Sequence, residues 1–307
     1  MPDERRGILY GVAAYAIWGL FPLYWPLLKP ADAVEILAHR MVWSLLVVAA
    51  ILAVLRRWSW IRGLIAQPRK LGLLSLAALC ITVNWGTYIY AVNIGHVVEA
   101  ALGYFITPLV NVLFGVALFH ERLRRWQWVA VGLGAVAVVV LTVGYGRVPW
   151  LALVLAFSFG TYALIKKSVN IGATESLAIE TLVLFLPALA YLGVLEATGS
   201  ATFGHHGAGH ALLLAGAGVV TAIPLLFFGA SAIRVPMTVM GLLQYIAPVL
   251  QFLVGVLIVH ETMPAARWIG FVIVWLALAV FTWDQLRAGH TARLAQRRAE
   301  AHEPVGA

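Results

Sequence analysis

Two His-Glu pairs, at positions 120–121 and 260–261, are the first residues of this sequence whose types suggest metal chemistry. A zinc hydrolase motif that begins with His-Glu needs a second His four residues after the first, on the same helix face. Those positions hold Arg124 and Pro264. The sequence therefore predicts no zinc site at either pair. We interpret both pairs as helix ends, where each Glu lies near local arginines.

Other catalytic patterns are equally hard to find. The sequence contains no Ser-His-Asp elbow and no phosphate-binding loop, and Cys80 is the only cysteine. A group of histidines at His205, His206 and His210 has ligand types suited to a metal, but we favour a solvated Gly- and His-rich loop. We therefore expect no enzyme activity, no cofactor and no metal site.

Three ionisable residues lie within or beside long apolar stretches. Ionisable side chains inside a membrane are costly and usually face a partner or a water-filled cavity. Arg40, Glu99 and Glu180 are therefore predicted gating or coupling residues. Arg40 has Glu99 as its candidate partner, and Glu180 has Lys166 or Arg234. The alternative is that Arg40 and Glu180 extend to the nearer interface.

Polar and aromatic side chains interrupt the same apolar stretches. Away from span ends, such side chains indicate a solute pocket, with interhelical hydrogen bonding or packing as the alternative. Amides at matching places in the fourth and ninth spans point to the middle of the membrane. The predicted substrate-binding residues are Tyr15, Trp18, Asn84, Tyr88, Tyr104, Asn111, Tyr162, Thr221, Gln244 and Gln251.

The amino-acid composition indicates that the helices carrying these residues lie in a membrane. Hydrophobic residues make up 62% of the 307-residue chain and charged residues 11%, with a mean hydropathy of +0.92. Soluble domains are only about half apolar. A spanning helix needs about 20 apolar residues. We predict ten spans, at 8–28, 36–55, 71–92, 100–119, 127–144, 149–166, 176–195, 211–232, 237–259 and 268–285. The first apolar run is retained rather than cleaved.

The positive charges fall mainly on one side of this ten-span arrangement. Lys29, Arg147 and Arg267 occupy the opposite side, and 17 of the 21 Lys and Arg residues lie in the remaining connections and at the two termini. The positive-inside rule then places both termini in the cytoplasm. The net charge of +8 is thus an orientation signal, and we expect a lipid bilayer rather than nucleic acid as the chain's surroundings.

A duplication organises the whole chain. Residues 102–121 match residues 242–261 at an offset of 140, and the match includes Pro108 with Pro248 and both His-Glu pairs. An offset of five spans makes the two copies inverted in the membrane. Inverted repeats are typical of secondary transporters that bind solute between the halves. We predict a first repeat at 1–146, a second at 147–286 and a basic cytoplasmic tail at 287–307.

Motifs along nearly the whole chain resemble one family. They read GLFPLYW, AHRMVWS, NWGTYIYAVN, EAALGYFITPLVNVLFG, SFGTYALIKK, TAIPLLFF and GLLQYIAPVLQFLVGV followed by HE. The chain resembles the RarD branch of the EamA family, in the drug/metabolite transporter superfamily. That resemblance implies ten helices in an inverted five-plus-five arrangement, permease activity and a bacterial inner-membrane location. It also supports Tyr104, Asn111, Gln244 and Tyr245 near a central cavity. His120 departs from the family, where Gly is expected.

These observations predict an all-α polytopic membrane protein that moves a small polar or amphipathic metabolite by alternating access. Protons are the candidate coupling ion. A broad drug or chloramphenicol-type exporter is the alternative within transport. A non-transporting membrane receptor or scaffold is the alternative from another class.

Overall fold

The computed structural model describes residues 2–54, 67–120, 122–169 and 173–302. All regular elements in these ranges are helical. They are α1 Pro2–Tyr24, a 3-10 turn Trp25–Leu28, α2 Ala33–Val54, α3 Pro68–Asn93, α4 Val97–Phe119, α5 Arg125–Tyr145, α6 Trp150–Val169, α7 Ala173–Ala197, α8 Gly207–Ala232, α9 Met237–Leu243, α10 Ile246–Leu257 and α11 Ala265–His302. The loop charges Arg56, Arg57 and Arg62, and Glu121 of the first His-Glu pair, lie outside the described residues.

The helices agree with the predicted spans. Nine stretches of the described chain are long and apolar enough to cross a membrane, and Trp150–Lys166 is a shorter apolar helix. Helices suit this role because they satisfy every backbone polar group internally. The prediction of an all-α polytopic membrane protein is confirmed.

The ninth span is interrupted where the sequence predicted one helix. Two turn residues, Gln244 and Tyr245, separate α9 from α10. Tyr245 N donates to Leu242 O at 3.2 Å, a step of three residues in place of four. Pro248 has no N–H, so the Gln244 carbonyl lacks its usual helical donor. The proline therefore accounts for the position of the break.

The corresponding proline of the fourth span does not break its helix. Pro108 lies inside the continuous α4. In that turn Thr107 Oγ1 donates to Gly103 O at 2.9 Å. The equivalent residue of the ninth span is Ala247, which has no hydroxyl to donate. The two copies of the repeat therefore differ locally.

Contacts divide the chain into two compact units. The larger unit comprises Met1–Asn111 and Pro149–Thr262, and the smaller comprises Val112–Val148 and Met263–Ala307. Within the larger unit, α1 packs against α8 and α10, α2 against α7 and α8, and α3 against α6 and α7. Within the smaller unit, α5 packs against α11. Each unit draws on both halves of the sequence.

The last helix is longer than its membrane span. α11 continues to His302, whereas the predicted span ends at 285. Its later residues are rich in Ala, Arg, Gln and Glu, which favour helix. The predicted basic tail is thus helical through His302.

Small residues set the distance between α2 and α8. A Cβ at Gly218 would lie 2.5 Å from the Trp43 carbonyl carbon and 2.6 Å from its oxygen. The obstacle is backbone, which cannot move aside as a flexible side chain can. Glycine therefore allows α8 to contact the α2 main chain directly.

Both histidines of the repeated His-Glu pairs end a helix in the same unusual conformation. His120 has φ 52° and His260 has φ 56°, and they are the non-glycine residues with positive φ in the described chain. This left-handed region favours glycine because other residues place Cβ against the next carbonyl. Both histidines thus follow the end of a helix, as predicted, whereas Glu121 lies outside the described residues.

Two carboxylates, the half-buried Glu261 and the buried Glu99, cap the starts of other helices. Glu261 Oε2 accepts from Val98 N at 2.9 Å, at the start of α4. Glu99 Oε1 accepts from Leu151 N at 3.2 Å, at the start of α6. The first turn of a helix has backbone N–H groups without helical partners, and a carboxylate satisfies them well.

Gly218→Ala is expected to lower the free energy of unfolding by about 1–3 kcal/mol, because the added methyl overlaps the α2 backbone. Thermal unfolding of purified protein in detergent would measure the loss. Gly193→Ala is the matched control, since a Cβ there meets nothing within 4 Å. Equal melting temperatures for the two variants would contradict the close approach.

His260→Gly is expected to raise the free energy of unfolding by about 1 kcal/mol, because glycine adopts positive φ without strain. The same change at His120 should act in the same direction. Gly146, at φ 66°, provides the reverse experiment, and Gly146→Ala should destabilise the protein. A lower melting temperature for both His variants would show that the imidazoles contribute more than the strain costs.

Candidate functional site

Arg40 lies at the centre of an enclosed group of neutral side chains. Arg40 is only 2% exposed. Nε donates to Thr221 Oγ1 at 2.8 Å, and the guanidinium carbon lies 3.7 Å from the ring centroid of Trp85. The rings of Trp25 and Phe21 lie 5.4 and 5.8 Å away. We call Phe21, Trp25, Trp85 and Thr221 the Arg40 cage. The rings stabilise the cation through cation–π attraction.

The position of Thr221 follows from the packing of α8 on α2. Thr221 is fully buried, and its hydroxyl donates to Ala217 O at 2.8 Å. Because the Thr221 hydroxyl hydrogen is donated to Ala217 O, the hydroxyl oxygen can accept a hydrogen bond from Arg40. Gly218 is one turn earlier on α8. The close helix approach that it permits therefore also brings the hydroxyl to the guanidinium.

Glu99 is not the partner of Arg40, although the sequence made it the candidate. The structure describes both residues, and Arg40 has Thr221 and aromatic rings as its contacts. Glu99 is fully buried, caps α6 through Leu151 N, and has its other oxygen 3.2 Å from His96 Nδ1. Glu99 caps α6 because the first N–H groups of a helix need an acceptor. The sequence pattern does not reveal this role, which is why Arg40 was given the wrong partner.

Asn84 joins three helices. Its Nδ2 donates to Leu155 O at 3.0 Å and to Ser158 Oγ at 3.2 Å, both on α6. Its Oδ1 accepts from Tyr104 Oη of α4 at 3.0 Å. Asn84 is 1% exposed. The predicted residues Asn84 and Tyr104 are thus brought together, with their polar atoms already bonded to protein.

A series of aromatic contacts runs from α3 to α7. The ring centroids of Tyr88 and Tyr104 are 5.7 Å apart, those of Tyr104 and Phe159 are 6.0 Å apart, and those of Phe159 and Tyr162 are 5.9 Å apart. Tyr162 Oη then donates to Glu180 Oε1 at 3.1 Å. We call these four rings the aromatic ladder. Three predicted tyrosines therefore belong to one connected group that reaches Glu180.

Glu180 has a basic partner within its own region. Lys166 Nζ lies 3.1 Å from Glu180 Oε1, and Glu180 is 2% exposed. Of the two candidate partners, the structure thus supports Lys166. Arg234 donates to Asp3 Oδ1 at 3.1 Å. The buried carboxylate is consequently balanced by a cation of the protein.

Another group of predicted residues gathers around α1. Tyr15, Trp18 and Phe228 contact one another, with ring centroids 5.3 to 6.1 Å apart. Gln251 of α10 is 3% exposed, and its Nε2 donates to Trp18 O at 3.3 Å. Trp18 and Tyr104 both pack against the hydrophobic cluster that contains Trp25. The two groups of predicted residues therefore border one buried cluster.

The remaining predicted residues have more open positions. Gln244 and Tyr245 are half-buried at the break between α9 and α10. Asn111 is exposed. Its role in substrate binding stays a prediction.

Several buried polar atoms have no hydrogen-bond partner among the described residues. They include Tyr88 Oη, Trp25 Nε1 and Gln251 Oε1. Buried polar groups are normally hydrogen-bonded, so each exception requires an explanation. A hydroxyl, an indole N–H and an amide oxygen are suited to noncovalent binding of a solute.

Sequence reasoning missed part of the Arg40 cage. Trp25 was not predicted as a site residue, yet it is fully buried beside Arg40. Its neighbour Tyr24 donates to Leu213 O at 2.5 Å. Trp85 and Phe21 were not predicted as site residues. Their aromatic type was the available signal, but aromatic residues are common throughout these spans.

The three histidines predicted to share a loop have separate contacts, and His210 lies in α8 rather than in a loop. His205 Nε2 lies 3.1 Å from Glu196 Oε1, and His210 Nε2 lies 2.9 Å from Leu28 O. In the part of the chain that the structure describes, no group of three or more His, Cys, Asp or Glu side chains is arranged for a metal ion.

Comparisons with known proteins agree with this architecture. The profile of the EamA-like transporter family matches residues 5–143. Protein RarD of Streptomyces exfoliatus is 64% identical over 303 residues, which cover 99% of this chain and 95% of that protein. The uncharacterized transporter YojE of Bacillus subtilis (strain 168) is 41% identical, covering 93% and 96%. The chloramphenicol-sensitive protein RarD of Pseudomonas aeruginosa is 32% identical, covering 94% and 97%.

One solved crystal structure of a protein shares the fold. It aligns with a TM-score of 0.55 at 19% identity, and covers 89% of this chain and 96% of its own. This likeness concerns the fold alone. The full-length sequence similarity goes further, and shows that the chain belongs to the EamA-like transporter family, a family of drug/metabolite-type membrane transporters, and within it to the RarD branch.

Proposed function

We propose that this chain is a secondary transporter of the bacterial inner membrane. It moves a small polar or amphipathic metabolite by alternating access between two inverted repeats of five spans. The observation that carries the proposal is the buried, connected group of Arg40, the aromatic ladder and Glu180. Ionisable residues enclosed among spanning helices mark solute or ion pathways.

The contacts of the helices support a repeat of five spans. On that basis α1 corresponds to α6 and α3 corresponds to α8. The pairing of α1 with α8 then corresponds to the pairing of α6 with α3, and the structure contains both. Arg40 and Glu180 are themselves 140 residues apart, at corresponding places of the two repeats.

Alternating access requires helices that can change shape near the solute. The interrupted ninth span supplies such a place, because the Gln244 carbonyl has no helical donor at the break. Broken helices at the substrate site are a recurring device of secondary transporters. In this mechanism Gln244 and Tyr245 contact the solute, and no covalent chemistry occurs.

A broad exporter of drugs is the second candidate within transport. Two observations favour it: the site is lined by aromatic rings, and one relative in Pseudomonas aeruginosa is named for chloramphenicol sensitivity. A flat aromatic lining accepts varied apolar solutes. The metabolite transporter would accept one class of solute, whereas the drug exporter would accept many unrelated solutes.

The deciding experiment is flux through purified protein in liposomes, measured for a panel of metabolites and drugs with and without a pH gradient. Specific flux of one metabolite class would support the proposal. Flux of many unrelated drugs would favour the exporter. Binding of a solute without flux of any panel member would contradict transport and favour a receptor. Acceleration by a proton gradient would identify the coupling ion.

Tyr88→Phe is expected to raise the KM for transport about fivefold to tenfold, as for the loss of one hydrogen bond. The Tyr88 hydroxyl has no hydrogen-bond partner in the described part of the chain, so its removal should leave the melting temperature unchanged. Tyr90→Phe is the matched control, since Tyr90 is 43% exposed on the same helix. An unchanged KM would remove the Tyr88 hydroxyl from the site.

Inversion of the repeats predicts opposite exposure of the two corresponding turns. Cys80→Ser gives a background without cysteine, because Cys80 is the only one. Into this background a single cysteine is placed at Arg122 or at Thr262. In right-side-out vesicles an impermeant maleimide should label position 262 at once and position 122 only after permeabilisation. Labelling of both from the same side would contradict inversion.

A further inference from the structure

We propose that the transported solute carries a carboxylate that binds Arg40, and that it is a monoanion with an apolar body. This inference rests on the proposed transport function and names its substrate class. It follows from the charge balance of the buried groups, from the unpartnered donors around Arg40 and from the aromatic lining.

Among the described residues, no carboxylate supplies a counter-charge to Arg40. A guanidinium stays protonated in proteins. Among the described residues no carboxylate forms an ion pair with Arg40, whose contacts are one hydroxyl and three rings. An unpaired buried charge is strongly unfavourable. An anion that enters with the solute would supply the missing charge.

The buried carboxylates provide the contrast, because each has a basic or donor partner. Glu180 pairs with Lys166, and Asp284 pairs with Arg124 at 2.6 Å. Glu35 accepts from Thr202 N at 2.7 Å. Arg40 is therefore the exception among the buried charged residues that the structure describes.

The unsatisfied groups around Arg40 are donors. Nε is bonded to Thr221, but no described group accepts from either Nη, which leaves an edge of the guanidinium for a solute. A carboxylate fits such an edge with two parallel hydrogen bonds. Trp25, whose ring is 5.4 Å from the guanidinium carbon, also has its indole N–H unpartnered. A carboxylate, which only accepts hydrogen bonds, is suited to the guanidinium and the indole N–H.

Tyr88 is an independent indication. It is 3% exposed, its hydroxyl has no partner among the described residues, and it belongs to the same hydrophobic cluster as Phe21 and Trp25. A hydroxyl aimed at no protein acceptor is available to an anion held by the neighbouring guanidinium. A purely structural arginine would not require an unsatisfied tyrosine beside it.

One negative charge suits this site better than two. Arg40 and His39 are the buried basic residues of the described chain, and Lys166 is already paired. A phosphate dianion would leave one charge unbalanced among aromatic faces, whose electron density repels anions. The same faces bind an apolar or aromatic body well. A zwitterion gains nothing, because the Glu180 carboxylate already has its cation.

The test compares carboxylates with their amides, which share shape but lack charge. The probes are phenylacetate with phenylacetamide, 3-phenylpropanoate with its amide, and hexanoate with its amide. Affinities come from the rise in melting temperature of the detergent-purified full chain at pH 7. Wild-type protein should bind at least one acid about 10- to 100-fold more tightly than its amide, as expected for hydrogen bonds to a charged group.

Arg40→Gln should abolish the preference for the acid, and Arg40→Lys should keep part of it. Arg69→Gln, which removes an exposed positive charge, should not alter it. If Arg40→Gln does not fold, the wild-type comparison and Arg40→Lys decide the question.

Equal affinity for acid and amide in every pair, or no binding of any carboxylate, would overturn the proposal. So would a preference for the acid that survives in Arg40→Gln. Tighter binding of phenyl phosphate or of phenylalanine than of the simple carboxylates would overturn the monoanion class. Flux in liposomes is scored separately: flux of neutral solutes without any acid preference refutes this inference alone, whereas binding without flux refutes transport alone.

Discussion

The solvation of one buried cation organises the larger unit. Arg40 is held by the hydroxyl of Thr221 and by the faces of Trp85, Trp25 and Phe21, which come from four different segments of the chain. Rings and a hydroxyl replace part of the hydration of a guanidinium, but they carry no negative charge. The helices that enclose Arg40 must therefore stay close enough to exclude lipid and yet leave part of the guanidinium uncommitted.

Glycine makes that closeness possible. Gly218 allows the backbone of α8 to approach that of α2, and one turn later Thr221 reaches the guanidinium. Gly103 has the same role between α4 and α6, where a Cβ would lie 2.7 Å from Ala152 O. Lipid offers no hydrophobic driving force for helix association, so packing and interhelical hydrogen bonds must hold these helices together. The small residues and the polar site are thus parts of one arrangement.

The spans and the buried positions of several candidate site residues were predictable because each depends on local pattern. Long apolar runs identified the helices, and polar types inside those runs identified Arg40, Asn84 and Glu180. Partners across helices were less accessible. The sequence offered Glu99 to Arg40, but it could not show that Glu99 caps α6. The break at Gln244 was also missed, because Pro108 and Pro248 look alike in sequence although only Pro248 follows an interruption of its helix.

The two repeats treat their corresponding charges differently, and this difference has a physical consequence. Glu180 is neutralised within the protein by Lys166, so its environment is complete when no solute is present. Arg40, 140 residues earlier, has only neutral neighbours among the described residues, and in the proposal above the solute supplies the missing negative charge. If both charges were paired within the protein, neither place would need a charge from the solute. If neither were paired, both places would need one. The proposed anion site therefore belongs to the half of the sequence that contains Arg40, and the aromatic ladder runs from that half to Glu180.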